Sequence, residues 1–140
     1  MRVTTRTESA RAAIEATGAE CWIGTPERLG TLRAALESVT IVCWLLGTAV
    51  GSEEELRALH ASRLEFFLGQ AIDTTVRGFV YEAAGDAVIA DVLAEGERIV
   101  GRVAGRNEIP TGFLRSDPGD ADAWLAEAHA EIGVLLGVRL

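Results

Sequence analysis

The sequence predicts an α/β fold in which helices cover both faces of a parallel sheet of about five strands, giving three layers. Short apolar runs alternate five times with longer stretches of helical period. The third run, residues 39–46, is apolar apart from Thr40, as expected of a parallel strand covered on both faces. Strict alternation implies right-handed crossovers between parallel strands. A chain of 140 residues, nearly half of them apolar, is predicted to form one domain over residues 1–140.

The elements follow in order. Residues 3–6 read as a first strand, and residues 8–17 as a helix closed by Gly18. Residues 20–24 form the second strand. Thr25-Pro26 then reads as an N-cap with proline at the first helical position, opening a helix to about residue 37. After the third strand, residues 47–51 make a glycine-containing loop. Ser52 and Glu55 form a capping box for a helical stretch over residues 53–72, broken near His60.

Residues 77–83 read as the fourth strand, and Asp86 caps a long helix burying Val88, Ile89, Val92, Leu93, Ile99, Val100 and Val103. Residues 111–114 form the fifth strand. Asp117-Pro118-Gly119-Asp120 is a turn and cap, and the last helix buries Trp124, Leu125, Ala128, Ile132 and Leu135. Open parallel sheets bind ligands at the carboxyl ends of their strands. The residues that matter are then Thr5-Arg6, Gly24-Thr25, Gly47-Thr48-Ala49, Tyr81-Glu82 and Arg115-Ser116-Asp117.

Composition narrows the function. A net charge of −8 argues against nucleic acid as a partner, because neutralising phosphates needs a basic face. No apolar run reaches membrane-span length, and the N-terminus lacks a signal-peptide pattern, so a cytoplasmic protein is expected. All 13 basic residues are Arg. A Schiff base, a phosphate-loop lysine and a Tyr-x-x-x-Lys pair are therefore excluded.

The set Thr4-Thr5-Arg6, a helix ending Gly18-Ala19, Gly24-Thr25-Pro26 and an apolar strand ending Leu45-Leu46-Gly47-Thr48 resembles a known domain. It is similar to the NAD(P)-binding Rossmann domain of atypical short-chain dehydrogenase/reductase and NAD-dependent epimerase/dehydratase-like proteins. The resemblance implies a Rossmann-like, nucleotide-binding fold in which residues 3–6 correspond to the family's second strand. It implies cofactor-binding roles for Thr5, Arg6, Gly24, Thr25, Gly47 and Thr48. Arg6 would face a ribose 2′-phosphate, which favours NADP over NAD. Gly24 and Thr25 would lie near the adenine, while Gly47, Thr48 and Ala49 approach the cofactor by backbone.

Two departures accompany it. The Gly-x-Gly-x-x-Gly loop that grips the pyrophosphate is absent, and Tyr81 is followed four residues later by Gly85 rather than Lys. The family's catalytic route is thus closed, and no catalysis is expected in this form. The glycine-loop unit, about 25 to 30 residues, would precede residue 3, so a truncated chain or a misplaced start is expected. The strand at residues 3–6 and that at residues 39–46 must then pair directly, leave a gap, or have it filled by another chain. The rival expectation is a non-catalytic interaction or regulatory module that oligomerises through its sheet, with a homodimer as the partner.

Other constellations read as structural. Cys21 and Cys43 are expected as buried strand cysteines, since no Cys-x-x-Cys exists. His60 and His129 are expected on helix surfaces or margins, and no spacing suggests a metal site. Asp73 and Thr74 should end a helix, and Arg77 should pair with a carboxylate. Tyr81 and Glu82 are the catalytic candidates, Tyr81 as a donor to a carbonyl and Glu82 as a base. The alternative is a tyrosine packed over the rim beside a solvated Glu82.

Overall fold

The computed structural model describes residues 1–85 and 89–137. Its strands are β1 (Arg2–Thr5), β2 (Glu20–Ile23), β3 (Ile41–Trp44), β4 (Gly78–Glu82) and β5 (Thr111–Leu114). Its helices are α1 (Arg11–Glu15), α2 (Gly30–Arg33), α3 (Glu53–His60), α4 (Ser62–Ala71), α5 (Ala90–Arg106) and α6 (Ala121–Leu136), with single 3₁₀ turns at Glu8–Ala10 and Ala34–Leu36. The fold is α/β with parallel strands throughout. The helix expected from Asp86 begins at Ala90, and its cap and Val88 lie outside the described residues.

The strands form two sheets, β1-β2 and β3-β4-β5. Of the three outcomes open to the first and third strands, the structure shows them unpaired. Glu20 N–H donates to the Met1 carbonyl and Gly24 N–H to the Thr5 carbonyl, so Met1 and Thr5 turn their peptide groups toward β2. Strand alternation turns Arg2 and Thr4 the other way. Arg77 N–H donates to the Thr40 carbonyl, which by the same alternation leaves Ile41 and Cys43 facing away from β4. Thr4 and Cys43 are the exposed residues of their strands. Side chains join the two pieces: Arg2 Nη1 donates to the carbonyls of Ala35 (2.5 Å) and Glu37 (3.1 Å), and Arg63 Nη1 to those of Pro26 and Glu27.

Alternation along β4 assigns the faces. Phe79 and Tyr81 enter a core with Leu64, Phe67 and Leu68 of α4 and Val92, Ile99 and Val100 of α5. Val80 turns to the other face, against Leu114, Ala128, Trp124 and Ile132, under α6. Each fully buried side chain of this size stabilises the fold by about 2 kcal/mol. Gly78 also faces α6, where a Cβ would meet the Leu135 side chain at 3.3 Å.

Several local expectations are corrected. The helix after Thr25 starts only at Gly30, because residues 25–28 close a turn instead. Arg28 N–H donates to the Thr25 carbonyl, and the Thr31 hydroxyl accepts from Thr25 N–H at 2.9 Å. Leu125 is 51% exposed, since α6 turns Trp124, Ala128, Ile132 and Leu135 to the sheet. Cys21 is buried, but Cys43 is exposed, because α6 covers that face over β4 and β5 and stops short of it. Among the described residues Arg77 bonds to the carbonyls of Thr74 and Val76 rather than to a carboxylate. Ser52 caps α3 as expected, accepting from Glu55 N–H at 3.1 Å.

Candidate functional site

Three loops meet at the carboxyl ends of β3, β4 and β5. They border an open cavity of about 260 Å³ lined by Thr48, Gly85, Asp117, Pro118 and Gly119. The β3 loop and the β4 loop pack backbone to backbone. A Cβ on Gly47 would lie 2.1 Å from the Ala84 carbonyl oxygen, and one on Gly85 would lie 2.0 Å from the Gly47 carbonyl oxygen. Glycine is required at both positions by this approach. The third wall is the turn before α6. Asp117 Oδ1 accepts from Gly119 N–H at 2.8 Å, and Asp120 caps α6 by accepting from Ala123 N–H at 3.2 Å. Glu127 holds the preceding residues, accepting from Ser116 N–H at 2.9 Å and from the Arg115 N–H and the Ser116 hydroxyl. Burial pushes the Glu127 carboxyl up, but those donors outweigh it and leave it below its ordinary value.

Glu82 stands behind this cavity. It ends β4 on the α6 face and is only 3% exposed. Its Oε1 accepts from Gly47 N–H at 2.7 Å, and its Oε2 accepts from the Trp124 indole N–H at 2.7 Å. The solvated Glu82 of the sequence reading is corrected: a strand alternating against α6 points this carboxylate inward, where two N–H donors satisfy it.

Tyr81 points to the opposite face and is fully buried, not packed over the rim. Its hydroxyl donates to His60 Nδ1 at 2.8 Å, and His60 Nε2 donates to the Leu46 carbonyl at 3.2 Å. A carbonyl can only accept, which fixes the proton on Nε2. His60 is therefore a core residue joining α3, the β3 loop and β4, not a surface one. Burial pushes its pKa below the ordinary 6.5, and the bond to Leu46 offsets part of that. Burial first, then the charges of Glu97 and Glu82, push the Tyr81 phenol well above its usual range. Gly96 of α5 makes room for the hydroxyl, since a Cβ there would lie 2.0 Å from it.

The remaining candidates lie at the ends of β1 and β2. Thr5 accepts from Gly24 N–H at 2.9 Å through its carbonyl. Arg6 is exposed and pairs with Glu27 at 3.0 Å. Gly24 is buried against the Thr31 carbonyl, 3.0 Å from where its Cβ would be. The structure thus brings Gly47 and Thr48 together with Glu82 and the turn at Asp117. Thr5, Arg6, Gly24 and Thr25 form a second group around β1 and β2 and do not line the cavity. The sequence reading missed Trp124 as a partner of Glu82, a pairing across 42 residues that no local pattern signals. Gly85 and the turn glycine Gly119 were also missed as cavity walls.

Among the described residues, no group of three or more His, Cys, Asp and Glu side chains could hold a metal ion. No described helix is long and apolar enough to cross a membrane. The sequence matches no protein-family model and no curated protein. Solved structures do match. Two structures of Citrobacter sp. triphenylmethane reductase, one of them complexed with NADP(H), superpose on 82% of this chain at 18% identity, with TM-scores of 0.62 and 0.61. The crystal structure of gox2253 superposes on 81% of the chain at 17% identity, with a TM-score of 0.66. The chain spans only 39% of the reductase and 42% of gox2253. At these identities the likeness is one of architecture, and the architecture of this chain is a Rossmann-like α/β fold.

Proposed function

We propose that this chain is an NAD(P)-binding module of the epimerase/dehydratase-like and short-chain reductase-like group, forming one cytoplasmic domain over residues 1–140 and working without catalysis in this form. The observation that carries the reading is the cavity formed by the loops after β3, β4 and β5, at the sheet edge where parallel α/β folds take their ligands. Architectural likeness to a reductase complexed with NADP(H) supports it.

The residues suit the two ends of a dinucleotide differently. Among the described residues lining the cavity Asp117 is the one charged side chain, so this wall suits a hydroxyl- or amide-bearing end better than a phosphate. The exposed guanidinium of Arg6 can exchange Glu27 for a 2′-phosphate, because an exposed ion pair holds it by no more than about 1 kcal/mol. NADP is therefore preferred over NAD, with Thr5, Gly24 and Thr25 beside the adenosine. Titration of the chain with NADPH and NADH by fluorescence tests this. NADPH should saturate, bind more tightly than NADH, and lose its advantage in Arg6→Ala. Equal binding of the two removes the NADP preference, and no binding removes the reading.

A second reading is favoured by the split sheet: a non-catalytic interaction module that forms a homodimer through the unpaired edges of β1 and β3. Absence of NADPH binding together with a concentration-dependent dimer in sedimentation would select it.

A further inference from the structure

We propose that Glu82 is the positioning residue of the ligand cavity: its buried carboxylate sets the spacing of all three walls. The inference deepens the cofactor reading and rests on it for the identity of the ligand. The first wall is tied by the Gly47 N–H bond to Oε1, one residue before Thr48. The second is the continuation of Glu82's own strand into Gly85. The third follows α6, whose Trp124 donates its indole N–H to Oε2 and lies one turn beyond the Asp120 cap.

The geometry leaves little slack. The two loops lie too close for a Cβ on either Gly47 or Gly85, so the β3 loop has little room to shift toward β4. The carboxylate stops it from moving away. Trp124 is bonded to the other oxygen of the same group, so displacing α6 pulls on the acceptor that holds Gly47. A buried carboxylate is costly unless its oxygens are satisfied, and these two N–H groups satisfy it. Occupancy of the cavity and the geometry of the clamp should therefore be read in each other.

The test compares the wild-type chain with Glu82→Gln, Trp124→Phe and the double variant. Glu82→Gln sets an amide donor against either the indole N–H or Gly47 N–H, and the double variant relieves the first conflict. In Glu82→Gln only one of the two bonds can be kept, so hydrogen exchange should speed up at least about tenfold at either the Gly47 amide or the Trp124 indole N–H, with the β1-β2 sheet unchanged. NADPH affinity should fall about tenfold, and the double variant should recover part of it. The indole N–H resonance of Trp124 should shift when NADPH is added to the wild-type chain. Should Glu82→Gln not fold, the indole shift of the wild-type chain with NADPH carries the test. Unchanged exchange at both the Gly47 amide and the Trp124 indole in folded Glu82→Gln, or an indole resonance indifferent to bound NADPH, overturns the proposal. Faster exchange at Gly47 in a chain that binds neither nucleotide keeps the clamp and removes only the cofactor reading.

Discussion

Two glycines of this chain show opposite chemical situations. At Gly47 the space for a side chain is filled by the Ala84 carbonyl and the Glu82 carboxylate, both backed by fixed structure. Gly47→Ala must push two loops apart, and overpacking of this kind costs about 1–3 kcal/mol. At Gly101, inside α5, nothing lies within 4 Å of an added Cβ. Gly101→Ala should instead stabilise the fold by about 0.5–1 kcal/mol, by restricting the unfolded chain. Urea unfolding of the two variants should give shifts of opposite sign; equal signs would show that the loop contact at Gly47 does not constrain the protein. Arg6 illustrates the other extreme, a residue whose partner is an exposed carboxylate and whose removal should leave stability nearly untouched.

Helices and strands were legible in the sequence wherever their signals are local. The Ser52 cap, the break near His60, the left-handed Gly18 and the strand Thr111–Leu114 all stand as read. What failed was tertiary. The helix after Pro26 is delayed because the Thr31 hydroxyl reaches back to close a turn. His60 looked like a surface residue because Tyr81 and Leu46, its two partners, are distant in sequence. That burial has a consequence for α3. The unfolded chain takes up the His60 proton near pH 6.5, while the folded chain, whose His60 pKa is lowered, takes it up only at lower pH. The unfolded state then binds more protons, so the His60 contribution to stability is complete above about pH 7.5 and falls as pH drops through 6.5. The lowered carboxylates of Glu8, Glu127 and Asp91 add a fall of the same sign mainly below about pH 5, at the acid end of this window. Urea midpoints between pH 8 and pH 5 should show the fall, and His60→Gln should flatten it. A wild-type profile without slope between pH 7 and pH 5 would contradict the buried neutral imidazole.

At the scale of the molecule, the fold class was readable from alternation alone, and the division of the sheet was one of three outcomes the pattern allowed. The candidate site was half legible: Gly47, Thr48 and Glu82 share one place, whereas Thr5, Arg6, Gly24 and Thr25 share another. The division makes a measurable difference to the backbone. Amide exchange followed by NMR should be fast at Thr4 and Cys43, whose peptide groups face neither β2 nor β4, and slow at Val42 and Val80. Protection at Cys43 equal to that at Val42 would mean that the β3 edge is paired in solution.

The interrupted ladder also bears on cooperativity. Backbone hydrogen bonding couples β3, β4 and β5 into one melting unit, while the N-terminal pair is fastened to it by guanidinium contacts and by the packing of Leu32 and Leu36. The first two dozen residues are therefore expected to unfold in a transition of their own, ahead of the rest, which hydrogen exchange at increasing urea would resolve. A molecule gripped at both Arg6 and Thr48 would act as a rivet between the two units, and its presence would merge two unfolding transitions into one.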